Sequence, residues 1–166
     1  MAKESSLKNK VILVVDDELD ILETVEEELD MCILHKAQDY DTASQYLASY
    51  TYDIVILDIM GVDGFELLKD AVKRGFPTTM LTAHAFTPEA LKKSIKLGAV
   101  FFLPKERLFE LKEFLETAVL NKEKFSWAYL FAKLGKYLNK RFGPDWKERD
   151  KFFKEFEKSI NMKGRV

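Results

Sequence analysis

Short apolar runs rich in β-branched residues alternate with longer amphipathic stretches over the first 120 residues. Each run is too short for a typical helix, so we interpret the five runs as β-strands. The predicted strands cover residues 11–15, 33–37, 53–57, 78–81 and 99–103. Apolar residues at helical spacing follow every strand, as Ile21, Leu22, Val25 and Leu29 do after the first. The pattern therefore predicts five β-then-α units.

This succession of strands and helices predicts an α/β fold, a doubly wound parallel sheet with helices on both faces. A parallel connection needs a crossover helix and is almost always right-handed. Gly75 and Pro77 separate the third helix from the fourth strand, and Gly98 ends the fourth helix. Sheets of this kind bind ligands at the carboxyl ends of their strands. We therefore expect the functional residues at those ends.

The pattern changes after residue 120, which divides the chain into residues 1–120 and an extension, residues 121–166. The extension predicts two helices, over residues 122–142 and 145–160, with Gly143 suited to end one and Pro144 to begin the next. Their apolar stripes consist of Trp127, Leu130, Phe131, Leu134 and Leu138 on the first helix and Trp146, Phe153, Phe156 and Ile160 on the second. Helices this apolar must bury their stripes against each other, against the first part, or in a homodimer.

Composition and charge describe a globular protein with two unlike surfaces. Hydrophobic residues make up 47% of the 166 residues and aromatic residues 13%, which is ample for a packed core. Residues 1–120 have a net charge of -9 and residues 121–166 have one of +7. No apolar run approaches the roughly 18 residues that a membrane span needs, and the polar amino end lacks a secretory signal. We expect a soluble, cytoplasmic protein without a membrane partner.

Polar side chains follow four of the five predicted strands. They are Asp16 and Asp17 after the first, Asp58 after the third, Thr82 after the fourth and Lys105 just beyond the fifth. Three carboxylates at one edge of a sheet would repel each other unless a cation lay among them. Because all-oxygen ligands suit hard divalent ions, the pattern implies Mg²⁺, with Mn²⁺ as an alternative.

These groups fit phosphoryl transfer to a carboxylate. A carboxylate is a weak nucleophile toward phosphorus, so it needs an in-line donor and compensation for the charge on the transferred oxygens. Lys105 offers a compact positive charge for one phosphoryl oxygen, and Thr82 offers a hydroxyl donor for another. The metal ion would take a third oxygen.

The ordered motifs resemble a response-regulator receiver domain over about residues 8–120. The resemblance rests on Val14-Val15-Asp16-Asp17-Glu18, Ile56-Leu57-Asp58, Asp63-Gly64-Phe65-Glu66-Leu67-Leu68, Leu81-Thr82-Ala83, and Lys105 seven residues after Gly98. It implies a flavodoxin-like (βα)5 fold with strand order 2-1-3-4-5. It also implies a phosphoacceptor signalling domain of two-component systems, not an enzyme beyond self-phosphorylation and self-dephosphorylation.

The resemblance assigns a role to each residue of the site. Asp58 would take the phosphoryl group from a phosphohistidine on a sensor histidine kinase or a histidine phosphotransfer protein. Asp16, Asp17 and Asp58 would hold Mg²⁺, together with the backbone carbonyl of Met60. Thr82 would move toward the phosphoryl group.

Three further positions take roles from the same resemblance. Phe102 would be the switch aromatic that turns inward, and the small Ala83 would leave room for the phosphoryl group. His84 would lie at the edge of the site and influence how fast the phosphoryl group is lost. A downstream protein partner would then read the phosphorylation state.

The chain departs from the family pattern in two places. The loop of residues 58–64 is about two residues shorter than usual and has no proline, so the backbone on the metal side is expected to differ. Lys105 is preceded by Pro104 and followed by Glu106, whereas the family usually has proline after the lysine, often with a cis peptide bond. We predict no cis bond between Lys105 and Glu106.

Other functions fit the same residues less well. A haloacid-dehalogenase phosphohydrolase usually has a second aspartate two positions after its nucleophile, where this chain has Met60. A flavin-binding domain needs a phosphate cradle after the first strand, where this chain has three carboxylates. Two alternatives stay open: a constitutive interaction module with an idle receiver fold, and a DNA-binding regulator acting through the basic extension. Six acidic residues within the extension argue against a nucleic-acid partner.

Overall fold

The fold was established from a computed structural model, which describes residues 4–83, 87–120 and 127–163. Its five strands are β1 (Val11–Val15), β2 (Ile33–Ala37), β3 (Ile54–Asp58), β4 (Thr78–Thr82) and β5 (Phe101–Pro104). All neighbouring pairs are parallel, and the order across the sheet is β2-β1-β3-β4-β5. The flavodoxin-like strand order is therefore confirmed.

The strand boundaries differ from the prediction where side chains or helix ends take the backbone hydrogen bonds. Asp53 lies outside β3, and its carboxylate accepts the N–H of Val11 at 2.8 Å. Ala99 lies outside β5, because its N–H donates to the carbonyl of Ser94 and so closes the preceding helix. At the other end, β3, β4 and β5 each run one residue further than predicted. Asp58 and Thr82 are therefore the last residues of their strands.

Helices follow the strands as the pattern predicts. They are α1 (Leu19–Glu28), α2 (Tyr40–Ser49), α3 (Gly64–Lys73), α4 (Pro88–Lys96) and α5 (Leu111–Leu120), with a 3₁₀ helix at Lys105–Glu110 leading into α5. Side-chain caps fix two of the starts, since Asp39 accepts the N–H of Thr42 at 2.7 Å and Thr87 accepts that of Ala90 at 3.1 Å. Every residue of β3 and β4 is buried, as expected for strands covered on both faces.

The described residues of the extension form three helices, α6 (Trp127–Phe142), α7 (Trp146–Arg149) and α8 (Lys151–Lys163). The prediction of one helix over residues 145–160 is wrong, because Asp150 is extended (φ -115°, ψ 121°) and interrupts it. The Asp150 carboxylate accepts the N–H of Phe152 at 2.8 Å and lies 3.1 Å from Lys92 Nζ on α4. Gly143, with φ +98°, follows the end of α6 as predicted. Residues 122–126 of the first predicted helix lie outside the described part.

Aromatic and leucine side chains form the interior of the extension. Trp146 packs edge to face on Phe153 at 4.8 Å and on Phe142 at 5.2 Å between ring centroids. Its indole N–H donates to Asn139 Oδ1 at 3.0 Å. The buried members are Trp127, Leu130, Leu134, Leu138, Trp146 and Phe153, whereas Phe131 and Phe156 are half-buried and the side chain of Ile160 lies outside the described part. Among the described residues, no helix has both the length and the apolar character to cross a membrane.

Candidate functional site

The predicted site residues meet at the carboxyl edge of the sheet. Lys105 begins the 3₁₀ helix directly after β5, and its Nζ lies 2.9 Å from Asp16 Oδ2 and 3.3 Å from Asp58 Oδ1. A pocket of about 190 Å³ opens at this edge. Its lining residues are Asp17, Glu18, Asp58, Met60, Gly61, Thr82, Ala83 and Lys105. Side chains from four strand ends thus converge on one cavity.

Burial governs the charge of the two carboxylates. Asp16 is fully buried and Asp58 is 4% exposed. Burial, reinforced by the negative charge of Asp16, raises the pKa of Asp58 to about 6, although Lys105 opposes this rise. Burial also raises the pKa of Asp16. For Lys105, burial disfavours the charged form, but the carboxylates of Asp16 and Asp58 outweigh it and raise the pKa of the ammonium.

Lys105 therefore acts as the internal counter-ion of the site. Its side chain is 9% exposed, so its charge is screened by little water. Three carboxylates share this one ammonium, those of Asp16 and Asp58 and, at 3.9 Å, that of Glu18, which leaves an excess of negative charge at the pocket. That excess suits a site that receives a further cation.

Three consecutive carboxylates supply the oxygens that such a cation would need. Oxygen atoms of Asp16, Asp17 and Glu18 lie within 4.8 Å of one another. Asp16 Oδ1 accepts the N–H of Glu18 at 2.9 Å, whereas the buried Asp16 Oδ2 forms an ion pair with Lys105 Nζ at 2.9 Å. An all-oxygen donor set of clustered carboxylates fits Mg²⁺. Glu18, which the sequence reasoning quoted but gave no role, belongs to this group.

The short loop after Asp58 passes very close to the acidic residues. Gly61 has φ +84°, and a Cβ atom there would lie 2.4 Å from Asp17 Oδ2. A Cβ atom on Gly64 would lie 2.0 Å from the carbonyl oxygen of Asp58. The positive φ favours glycine at position 61, and the nearby backbone excludes any side chain at position 64, so both glycines let this short loop close. The sequence reasoning missed Gly61, although a glycine in a shortened loop was the available signal.

Thr82 and Ala83 lie where the sequence predicts. The hydroxyl of Thr82 is buried and has no hydrogen-bond partner among the described residues, so it can donate to an incoming acceptor without breaking a bond. Ala83 lines the pocket. Met60 also lines it, with a side chain that is 61% exposed.

Two other predicted residues are less informative. Phe102 lies on β5 and is only 1% exposed, so its side chain is already inside the protein in this state. Its switch role stays a prediction. His84 lies outside the described residues. The described residues contain no cis peptide bond, and Pro104 lies on β5, an edge strand, where its missing N–H is tolerated.

The comparison with protein families decides the classification. The model of the family described as response regulator receiver domain matches residues 12–117. The chain belongs to this family. Receiver domains are signalling domains of two-component systems, and the match covers all five strands except Val11, together with the site. It does not include the extension.

Solved structures agree with this classification. NtrX from Brucella abortus, in complex with ATP, is similar at 31% identity and a TM-score of 0.56, over 69% of this chain and 28% of that one. The signal receiver domain of an HD domain-containing protein from Pseudomonas fluorescens Pf-5 is similar at 28% identity and a TM-score of 0.56, over 66% and 96%. A response regulator from Thermotoga maritima shares the fold, at 21% identity and a TM-score of 0.61, over 68% and 98%. No curated protein matches the chain.

Proposed function

We propose that this protein is a cytoplasmic response regulator that accepts a phosphoryl group on Asp58 and acts as a Mg²⁺-dependent conformational switch. The donor would be a phosphohistidine on a sensor histidine kinase or a histidine phosphotransfer protein. The supporting observation is the pairing of Lys105 Nζ with Asp58 at 3.3 Å and Asp16 at 2.9 Å, beside a pocket of about 190 Å³.

In the proposed step, a carboxylate oxygen of Asp58 attacks phosphorus and forms an O–P bond. The N–P bond of the phosphohistidine breaks, and the imidazole nitrogen keeps the electron pair and takes up a proton. The attacking group must be ionised. A pKa of about 6 leaves Asp58 mostly ionised at neutral pH while keeping it more basic than an ordinary aspartate.

The remaining residues would bind the transferred group. Lys105 can turn from Asp58 toward a phosphoryl oxygen, because Asp16 alone still supplies an ionic partner at 2.9 Å. Thr82 can donate its unpaired hydroxyl to a second oxygen. Asp16, Asp17 and Asp58, with the backbone carbonyl of Met60, would hold Mg²⁺, which supplies charge neutralisation for the transferred oxygens when bound. Glu18 lies in the same cluster of carboxylates. Mn²⁺ would serve the same donor set.

Phosphorylation would then bias an equilibrium between two arrangements of the receiver. A ligand shifts such an equilibrium only by its differential affinity for the two states. The phosphoryl group would favour one of the two states because it would bind Lys105 and Thr82. In their present positions these two side chains suit the free carboxylate. A downstream protein partner, or a second copy of the chain, would bind one of the two states.

The test is incubation of the full chain with acetyl phosphate and Mg²⁺, followed by intact mass measurement. We expect one added phosphoryl group in the wild type and none in Asp58→Asn. Asp41→Asn makes the same chemical change at an exposed helix position and should leave the addition intact. An unmodified wild-type chain would instead support the constitutive interaction module.

A further inference from the structure

The extension lies across one face of the receiver, on α4, the 3₁₀ helix and α5. On the α5 side, Tyr129 of α6 donates its hydroxyl to Glu113 at 3.0 Å, and Lys133 lies 3.3 Å from the same carboxylate. The Tyr129 ring also packs edge to face on Phe114 of α5, at 5.6 Å between centroids. The extension thus places phenols and an ammonium on acidic groups of the receiver.

On the α4 side, the contact is made by the break between α7 and α8. The Lys92 ammonium pairs with Asp150 at 3.1 Å. Lys92 and Lys96 lie over the ring of Phe152, at 5.6 Å and 5.2 Å from its centroid. The extension therefore contacts both helices that flank β5.

The middle contact joins the extension to the residue next to Lys105. The Tyr137 hydroxyl donates to Glu106 Oε1 at 2.7 Å. The guanidinium of Arg107 lies 5.9 Å from the Tyr137 ring centroid and forms an ion pair with Glu110. Glu106 and Arg107 belong to the 3₁₀ helix that Lys105 begins, so the peptide chain links the counter-ion of the site directly to α6.

The backbone at this link is irregular. Arg107 has φ -109° and ψ 22°, outside the helical range, within the 3₁₀ helix. A short segment with a break of this kind can change its course at a smaller cost than a regular helix. A displacement of Lys105 would thus be transmitted to Glu106.

We propose that the extension is an intramolecular cover on the α4–β5–α5 face, and that phosphorylation of Asp58 loosens it through the Lys105–Glu106–Tyr137 link. This inference rests on the proposed function. With no phosphoryl group, Lys105 is held by Asp16 and Asp58, and this position of the 3₁₀ helix presents Glu106 to Tyr137.

The movement of Lys105 on phosphorylation of Asp58 explains why the cover should loosen. The ammonium turns toward a phosphoryl oxygen, which changes the course of the chain at residues 105–107 and weakens the Tyr137 hydrogen bond. Among the other contacts, the ion pairs are partly exposed, with Lys133 44% and Glu113 58% exposed, and hold little on their own in water. The ring contacts of Tyr129 with Phe114 and of Phe152 with the lysines of α4 add to them. Loss of the central contact therefore favours release of the cover.

The experiment uses the full chain with Mg²⁺ and beryllofluoride, a mimic of the phosphoryl group. Fluorine NMR reports whether the mimic is bound, and hydrogen exchange with mass spectrometry reports the protection of α6 and α8. In the wild type we expect a bound fluoride signal and a rise in exchange of α6 and α8 by about fivefold or more. Tyr137→Phe, which removes only the hydroxyl, should lose this response.

Tyr129→Phe is the matched control, because it removes the same hydroxyl from the same helix but from a contact with Glu113 on α5. This variant should show faster hydrogen exchange of α6 and α8 without the mimic, and their exchange should still rise when the mimic binds. Coupling between two sites acts equally in both directions. Tyr137→Phe should therefore bind beryllofluoride more tightly than the wild type, by the same factor by which its exchange response to the mimic is reduced.

The outcomes separate the two proposals. A bound fluoride signal without change in the exchange of α6 and α8 overturns the cover and leaves phosphoacceptance standing. An equal response in Tyr137→Phe and the wild type overturns the route through Glu106. No bound fluoride in the wild type counts against the proposed function, and against the cover with it.

Discussion

The rim of the sheet and the interior of the extension bury different kinds of side chains. At the rim, Asp16, Asp58 and Lys105 are buried ionisable groups whose charges are incompletely balanced. In the extension, the buried groups are rings and leucines, and the charged groups lie at the surface. The buried charges of the rim thus lower the stability of the fold, whereas the burial of apolar side chains stabilises the extension. Substitutions in the two regions should respond differently to pH and to salt.

The largest effect is expected from the interior of the extension. Phe153→Ala removes a ring that is 1% exposed and should lower the free energy of unfolding of the extension by about 3–5 kcal/mol. Both tryptophans of the chain, Trp127 and Trp146, lie in the extension, so their fluorescence during urea unfolding measures it. Phe109→Ala, at a position that is 67% exposed, is the control and should change little. Similar midpoints for the two variants would contradict an apolar interior.

The counter-ion of the rim should give the next largest effect. Lys105→Met leaves two buried carboxylates without a cation and should lower the free energy of unfolding by about 3 kcal/mol at pH 7 in metal-free buffer. The loss should shrink near pH 5, because the unpaired carboxylates then take up protons. Urea unfolding at both pH values measures it. Lys73→Met, at an exposed position, should leave stability nearly unchanged at either pH. A pH-independent loss would show that packing, not charge, is responsible.

Removing the Asp58 carboxylate should stabilise the protein. The pKa of Asp58 is raised to about 6 in the folded state, so ionisation opposes folding as pH rises from about 4 through about 6. Asp58→Asn removes this opposition and should raise the free energy of unfolding by about 2 kcal/mol at pH 7 without metal. Near pH 4 the gain should vanish, because Asp58 is then protonated in the folded state. Unfolding of Asp58→Asn and of the control Asp41→Asn across pH 4–8 shows whether the substitution raises or lowers the free energy of unfolding.

The smallest effect is expected where the extension meets α4. Both side chains of the Lys92–Asp150 pair are about a third exposed, so Lys92→Met should lower stability by only about 0.5 kcal/mol, and less in high salt. Unfolding in 0.1 M and 1 M salt measures this, with Lys140→Met at an exposed position as the control. A salt-sensitive loss several times larger would mean that ion pairs hold the extension in place.

Much of the site was predictable because parallel strands place their carboxyl ends at one edge. Asp16, Asp58, Thr82 and Lys105 follow strands that apolar periodicity alone identifies, so their meeting at the rim follows from the fold class. Gly61 was missed, since its positive φ and its closeness to Asp17, 44 positions earlier in the chain, arise only in the folded loop. Glu18 was given no role, because nothing local distinguishes a ligand from a helix-capping acid.

The sequence by itself determined the order of strands and helices, the edge of the sheet where the chemistry lies, and the contrast between an acidic receiver and a basic, aromatic extension. These features follow from local periodicity and composition. Only the tertiary structure decided that Asp150 breaks the last predicted helix toward Lys92, and that Tyr137 bonds the residue next to Lys105. Such contacts join residues 58 and 31 positions apart, and no local preference specifies which distant partner a side chain will meet.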